Sequence, residues 1–146
     1  MGDEQGQGGI AAPREIIIFL DENHCRNRHV IDAIEGSGIR CEKHLDHFPA
    51  GTPDIDWLPE LGRLGWCLLT TDARIRSNHL EREAVRENGV RMFYFPKNNL
   101  SGKEMGNAVL KALPAMVSLA LSQPPPFIAS IGKNGDVNLR NTFEVP

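Results

Sequence analysis

The chain opens its ordered pattern with a short, unbroken apolar run, Ile16, Ile17, Ile18, Phe19 and Leu20, which stops at Asp21, Glu22 and Asn23. Continuous rather than alternating apolarity suits a central strand of a parallel sheet, buried on both faces. Over residues 25–37 the apolar positions Val30, Ile31, Ala33 and Ile34 change to helical spacing, and Gly36 and Gly38 mark the end of that helix. Residues 39–45 read as a second, more polar strand nearer a sheet edge. After a loop at residues 47–51, Thr52-Pro53 has the form of a cap followed by proline at the first helical position. The helix that follows carries Asp56, Trp57, Leu58 and Leu61, and Pro59 is expected to kink or split it.

Trp66, Cys67, Leu68, Leu69 and Thr70 form a third buried strand, ending at Thr71 and Asp72. Asn78 caps a helix over residues 80–87, closed by Asn88-Gly89, and residues 90–95 form a fourth strand. Ser101 and Glu104 have the spacing of a capping box and open a helix toward Ala120, with Pro114 expected to break or bend it. Asn134-Gly135 lies between the apolar stretches 127–131 and 137–139, the strongest short signal for a hairpin. Strands alternating with helices predict an α/β domain: a mainly parallel central sheet with right-handed crossovers and helices on both faces, a three-layer sandwich, plus a C-terminal β-hairpin.

This divides the chain into a Gly- and Gln-rich arm at residues 1–14, an α/β domain at 15–120, a proline-rich spacer at 121–126 and a hairpin extension at 127–146. No repeat is present. With 146 residues one domain is expected, large enough for a real core. The run at residues 16–20 is far short of the ~20 residues of a membrane span, and no secretory signal opens the chain, so no membrane partner is expected. Cys25, Cys41 and Cys67 are odd in number and widely spaced, which suits reduced thiols in a cytoplasmic protein rather than a disulfide framework or zinc ribbon. Sixteen Lys and Arg against 19 Asp and Glu give a net charge of −3, which argues against a protein that coats nucleic acid but not against an enzyme that visits it.

In such a sheet every loop from strand to helix leaves on the same edge, where ligands bind. Asp21 follows the first strand, Asp54 and Asp56 open the helix after the second, and Asp72 follows the third, so all four acids fall on that edge. If the first and third strands are neighbours, Asp21 and Asp72 face each other. Two carboxylates at about 4–5 Å repel by roughly 3–4 kcal/mol at an effective dielectric near 20. A fold that gathers three must protonate some or bind a cation. An all-oxygen donor set favours Mg²⁺ or Mn²⁺, ions suited to phosphoryl transfer or phosphodiester hydrolysis. Each acid alone also has a plainer role, at a strand end, in a turn, or at the positive end of a helix dipole. Arg74 and Arg76 lie on the same edge and can hold substrate phosphates, and Asn23 borders Asp21. His44 and His47 have no second ligand pair to complete a zinc site.

The segments Phe19-Leu-Asp-Glu-Asn23, Thr52-Pro-Asp-Ile-Asp-Trp-Leu58 and Leu68-Leu-Thr-Thr-Asp-Ala-Arg-Ile-Arg76 resemble the PIN-like domains of toxin–antitoxin ribonucleases, most of all the compact VapC-related branch. The resemblance spans about residues 15–116 and extends to the hairpin at residues 127–139. It implies a Mg²⁺- or Mn²⁺-dependent endoribonuclease acting on RNA. Carried over, Asp21, Asp54 and Asp72 are the catalytic acids and, with Asp56, the metal ligands; Arg74 matches the family's basic position. An antitoxin protein is the implied partner, and homodimer formation stays open. Larger PIN domains carry a further acid after a later strand; here that position reads Phe95-Pro-Lys-Asn-Asn. Two other readings compete: a PIN-like binding module without cleavage, joined to a partner through the edge of the terminal hairpin, and a receiver-type phosphoacceptor domain. The second is disfavoured because Pro96 precedes Lys97.

Overall fold

A computed structural model describes residues 15–71, 78–96 and 99–144. The first strand, β1 (Ile17–Leu20), is followed by α1 (Arg28–Gly36), β2 (Arg40–Lys43), a single helical turn α2 (His44–His47) and α3 (Asp54–Leu64). Then come β3 (Cys67–Thr70), α4 (His79–Asn88), β4 (Arg91–Tyr94), α5 (Gly102–Ser122), β5 (Phe127–Ile131) and β6 (Val137–Asn141). Among the described residues the strands form one sheet in the order β2-β1-β3-β4-β5-β6. All neighbours are parallel except β5 and β6, which pair antiparallel across the Asn-Gly turn.

The apolar runs do what their continuity requires. Along β1, Ile18 and Leu20 face one side and Phe19 the other; along β3, Cys67 and Leu69 oppose Leu68. The period of two thus feeds two separate cores. The first lies under α1 and α5 and includes Val30, Ile34, Val109 and Met116. The second lies under α3 and α4 and includes Trp57, Leu61, Val85 and Met92. The result is the expected three-layer sandwich. Cys25, Cys41 and Cys67 are buried and unbridged. Trp57, Trp66, Phe93 and Phe95 are all core residues.

Local chemistry sets the helix ends. Asn27 accepts hydrogen bonds from the His29 and Val30 amides, and Asn78 from the Leu80 and Glu81 amides. Both halves of the Ser101–Glu104 capping box are formed. The structure departs from the sequence expectations in three places. The second strand is shorter than residues 39–45, because the chain winds into α2 at His44. Pro53, not Thr52, is the residue at the cap of α3, which has no side-chain cap hydrogen bond among the described residues. Neither Pro59 nor Pro114 splits its helix. Buried side chains on both sides of each proline, Trp57 and Leu61 in α3, Leu113 and Met116 in α5, anchor the helix where a ladder bond is lost. Helix α5 is long and apolar enough by composition to cross a membrane, and it has a buried face in the first core.

Both helix layers are closed by glycines at points of contact. A Cβ on Gly62 of α3 would lie 1.9 Å from the Asn88 carbonyl oxygen of α4. A Cβ on Gly135, which stands at φ 91° in the hairpin turn, would lie 2.6 Å from Lys111 Cβ on α5. The turn therefore packs on the last helix.

Gly62→Ala is expected to destabilise the fold by about 1–3 kcal/mol, because α3 and α4 must separate to admit the methyl group; unchanged stability in chemical denaturation would contradict this packing. Burial pushes the Cys41 and Cys67 thiols up to about 11. Native protein at pH 8 is therefore expected to resist a thiol reagent that modifies the unfolded chain rapidly. Fast labelling of both thiols under native conditions would show that the sheet opens.

Candidate functional site

The site follows from the sheet order. With β1 between β2 and β3, the loops leaving all three strands meet at the carboxyl edge of the sheet. Asp21 is the first residue after β1 and is 4% exposed. The Thr70 hydroxyl, at the last position of β3, donates to Asp21 Oδ2. The parallel register Leu20↔Leu69 brings these two groups level, so the pair is a product of strand alignment. One residue further, His24 Nε2 lies 2.5 Å from Thr71 Oγ1 and 4.0 Å from Asp21 Oδ1. Burial holds the His24 imidazole below its ordinary value, which favours the neutral ring. A neutral ring can bridge the loops after β1 and β3 without neutralising the carboxylate.

Asp21, Asn23 and Asp54 line one cleft of about 450 Å³. Asp54 opens α3 and is half-buried. The cleft is open to solvent, and the exposed apolar side chains of Ile55 and Leu80 are among those that line it. Asp56 does not line this cleft. At about 100° per residue it stands roughly 200° round α3 from Asp54, and it lines a second, smaller hollow with His47, Phe48, Glu60 and Trp66. Asp72, Arg74 and Arg76 lie outside the described residues, in the segment that joins Thr71 to Asn78.

Three further cleft residues carry titratable groups that the sequence reading left without a role there: Glu22, His44 and Glu81. Glu81 lies in the first turn of α4, held there by the Asn78 cap. Its signal was available, because the helix after β3 starts on the same edge as the other acids. His44 was visible only as half of a rejected zinc pair. It is 1% exposed, packed against Phe48 and Trp57 at ring distances of 5.5 and 5.7 Å. Neither of its ring nitrogens has a hydrogen-bond partner among the described residues.

The donor set at the cleft is oxygen-rich: the carboxylates of Asp21, Glu22, Asp54 and Glu81 and the Asn23 amide. Such a set suits a hard cation and disfavours thiolate-seeking metals. Among the described residues no three His, Cys, Asp or Glu side chains converge closely enough to hold a metal by themselves. Of the acids singled out in the sequence, Asp21 and Asp54 are the two that line this one cleft.

Comparison with known proteins bears on the same segment. The family model of the PIN like domain matches residues 16–97, from the start of the first apolar run to just beyond β4. The chain is 26% identical over 102 residues to the Mycobacterium tuberculosis protein named "Putative ribonuclease VapC45". That alignment covers 67% of this chain and 73% of the relative. No solved structure matches the chain. The family match takes in more than half of the sequence and every strand exit that builds the cleft, and the chain belongs to the PIN-like domain family.

Proposed function

We propose that the chain is a divalent-metal-dependent endoribonuclease, the toxin component of a toxin–antitoxin pair, that hydrolyses RNA phosphodiester bonds at the cleft between the β1 and α2–α3 loops. The observation that carries the reading is that Asp21 and Asp54, 33 positions apart by their numbers, line one solvent-open cleft at the carboxyl edge of a PIN-like sheet. The family match and the name of the mycobacterial relative support the reaction class.

In this reading Asp21, Asp54 and Asp72 hold Mg²⁺ or Mn²⁺, and Asp56, which faces the second hollow, is left out of the ligand set. When bound, such an ion would supply Lewis-acid stabilisation of the phosphate's developing charge and a lowered pKa for water at the site. The protein's own groups do the rest. Thr70 fixes the rotamer of Asp21 by donating to Oδ2, which leaves Oδ1 directed toward the His24 side of the loop. The neutral His24 keeps a second positive charge away from a carboxylate needed as a ligand. Arg74 and Arg76 bind phosphates flanking the scissile bond, and Asn23 binds the substrate at the cleft mouth. A water attacks phosphorus and gives up a proton to solvent, the bond to the leaving ribose oxygen breaks, and that oxygen takes a proton from solvent. An antitoxin protein restrains the activity in the cell.

Asp21→Asn and Asp54→Asn are each expected to lower RNA cleavage in Mn²⁺ by at least about 100-fold. Asp56→Asn is expected to stay within about twofold of the native chain, as a surface substitution does. EDTA should abolish cleavage in all of them. The check is single-turnover cleavage of a labelled RNA, with folding of each variant verified by circular dichroism. Cleavage that survives both Asp21→Asn and Asp54→Asn, or that persists in EDTA, would overturn the proposal.

A further inference from the structure

Glu22 sits between Asp21 and Asn23 in the loop after β1, and the proposed reaction gives it no part. Asp21 and Glu22 diverge to opposite sides of β1. Asp21 reaches across to Thr70 at the end of β3. Glu22 reaches the other way, to the segment that follows β2: its Oε1 accepts a hydrogen bond from the Gly51 amide at 2.9 Å and lies 3.7 Å from His44 Nε2. Gly51 stands at φ 81°, three residues before Asp54.

The turn that carries Gly51 is otherwise closed on itself. The Thr52 amide and hydroxyl both bond the Pro49 carbonyl, and the Phe48 amide bonds the His44 carbonyl. α3 begins at Asp54 without a side-chain cap. The Gly51–Glu22 bond is a hydrogen bond that joins this turn to the β1 loop. A carboxylate suits the task, since a charge-assisted bond to an amide is roughly twice as strong as a neutral one. The Glu22 side chain is 39% exposed, so its charge is not stripped of water. The buried His44 ring beneath it, wedged between Phe48 and Trp57, is a firm wall against which the Glu22 side chain is set.

We infer that Glu22 is a positioning residue: by holding the Gly51 turn against the β1 loop, it sets the approach of Asp54 to Asp21 across the cleft. The inference rests on the metal-site reading above for its consequence, but the tether itself is a property of the metal-free chain. The two can therefore be tested apart.

The experiment compares the full-length native chain with Glu22→Ala, Glu22→Gln and Asp21→Asn. Two quantities are read: hydrogen exchange of the Gly51 amide without metal, by NMR, and Mn²⁺ affinity, by calorimetry. Glu22→Ala is expected to speed Gly51 exchange and weaken Mn²⁺ binding by about tenfold or more each, in the range typical for removing a group that orients a ligand. Glu22→Gln keeps an oxygen that accepts from the Gly51 amide, and should restore both to within about threefold. Asp21→Asn should lose Mn²⁺ while leaving Gly51 protected. Unchanged Gly51 exchange in Glu22→Ala would overturn the tether. A Glu22→Gln chain that keeps Gly51 protected yet binds Mn²⁺ as poorly as Glu22→Ala would make Glu22 a ligand and overturn the positioning role. A native chain that binds no Mn²⁺ would instead contradict the metal-site reading, with the tether still decided by exchange.

Discussion

The parallel pairing of β1 with β3 is the constraint from which the site follows. Its register, Ile18↔Cys67 through Leu20↔Leu69, ends both strands at one level, so the first polar residue after β1 meets the last hydroxyl of β3. Both strands are apolar on both faces, and each face has its own helix layer. A slip of one residue would turn Phe19 toward α1 and α5, and Ile18 and Leu20 toward α3 and α4. The register is thus fixed by the two cores, and the placement of Asp21 comes with it.

The helix α3 imposes a second geometric choice. Two aspartates at positions i and i+2 cannot face the same way on a helix, and the fold commits Asp54 to the cleft and Asp56 to the hollow beside Trp66. The loop before Asp54 is closed by Thr52 on the Pro49 carbonyl and bonded to the β1 loop through Glu22 and the Gly51 amide. The cleft is lined by the loop after β1 and by the starts of α3 and α4, so Asp21, Asp54 and Glu81 reach it from separate stretches of the chain anchored to one sheet.

Much of the fold was legible in the sequence because its signals were local. Unbroken apolar strands, Asn78 and Ser101 at helix starts, and Asn134-Gly135 in the hairpin each specify their element within a few residues. The strand-exit rule placed Asp21 and Asp54 on one edge, and the two line one cleft. The sequence pattern was silent where long-range contacts decide. The end of the second strand at Lys43 depends on His44 being buried among Phe19, Phe48 and Trp57, partners spread over nearly 40 positions. Pro59, expected to kink or split its helix, and Pro114, expected to break or bend its own, each lie inside one continuous helix seated on a core. Edge membership treated Asp54 and Asp56 alike, and only the helical rotation separates them. Glu22 was read as part of a motif, and its partner Gly51 is 29 residues away.

The central claim is that the cleft between the β1 loop and α3 holds a divalent cation on carboxylate oxygens. The most direct measurement is anomalous scattering from a crystal of the native chain soaked in Mn²⁺. One peak is predicted in the cleft, within coordination distance of Asp21 and Asp54, and absent in Asp21→Asn. A crystal with no peak there, or with its ion in the hollow beside Asp56, would contradict the account.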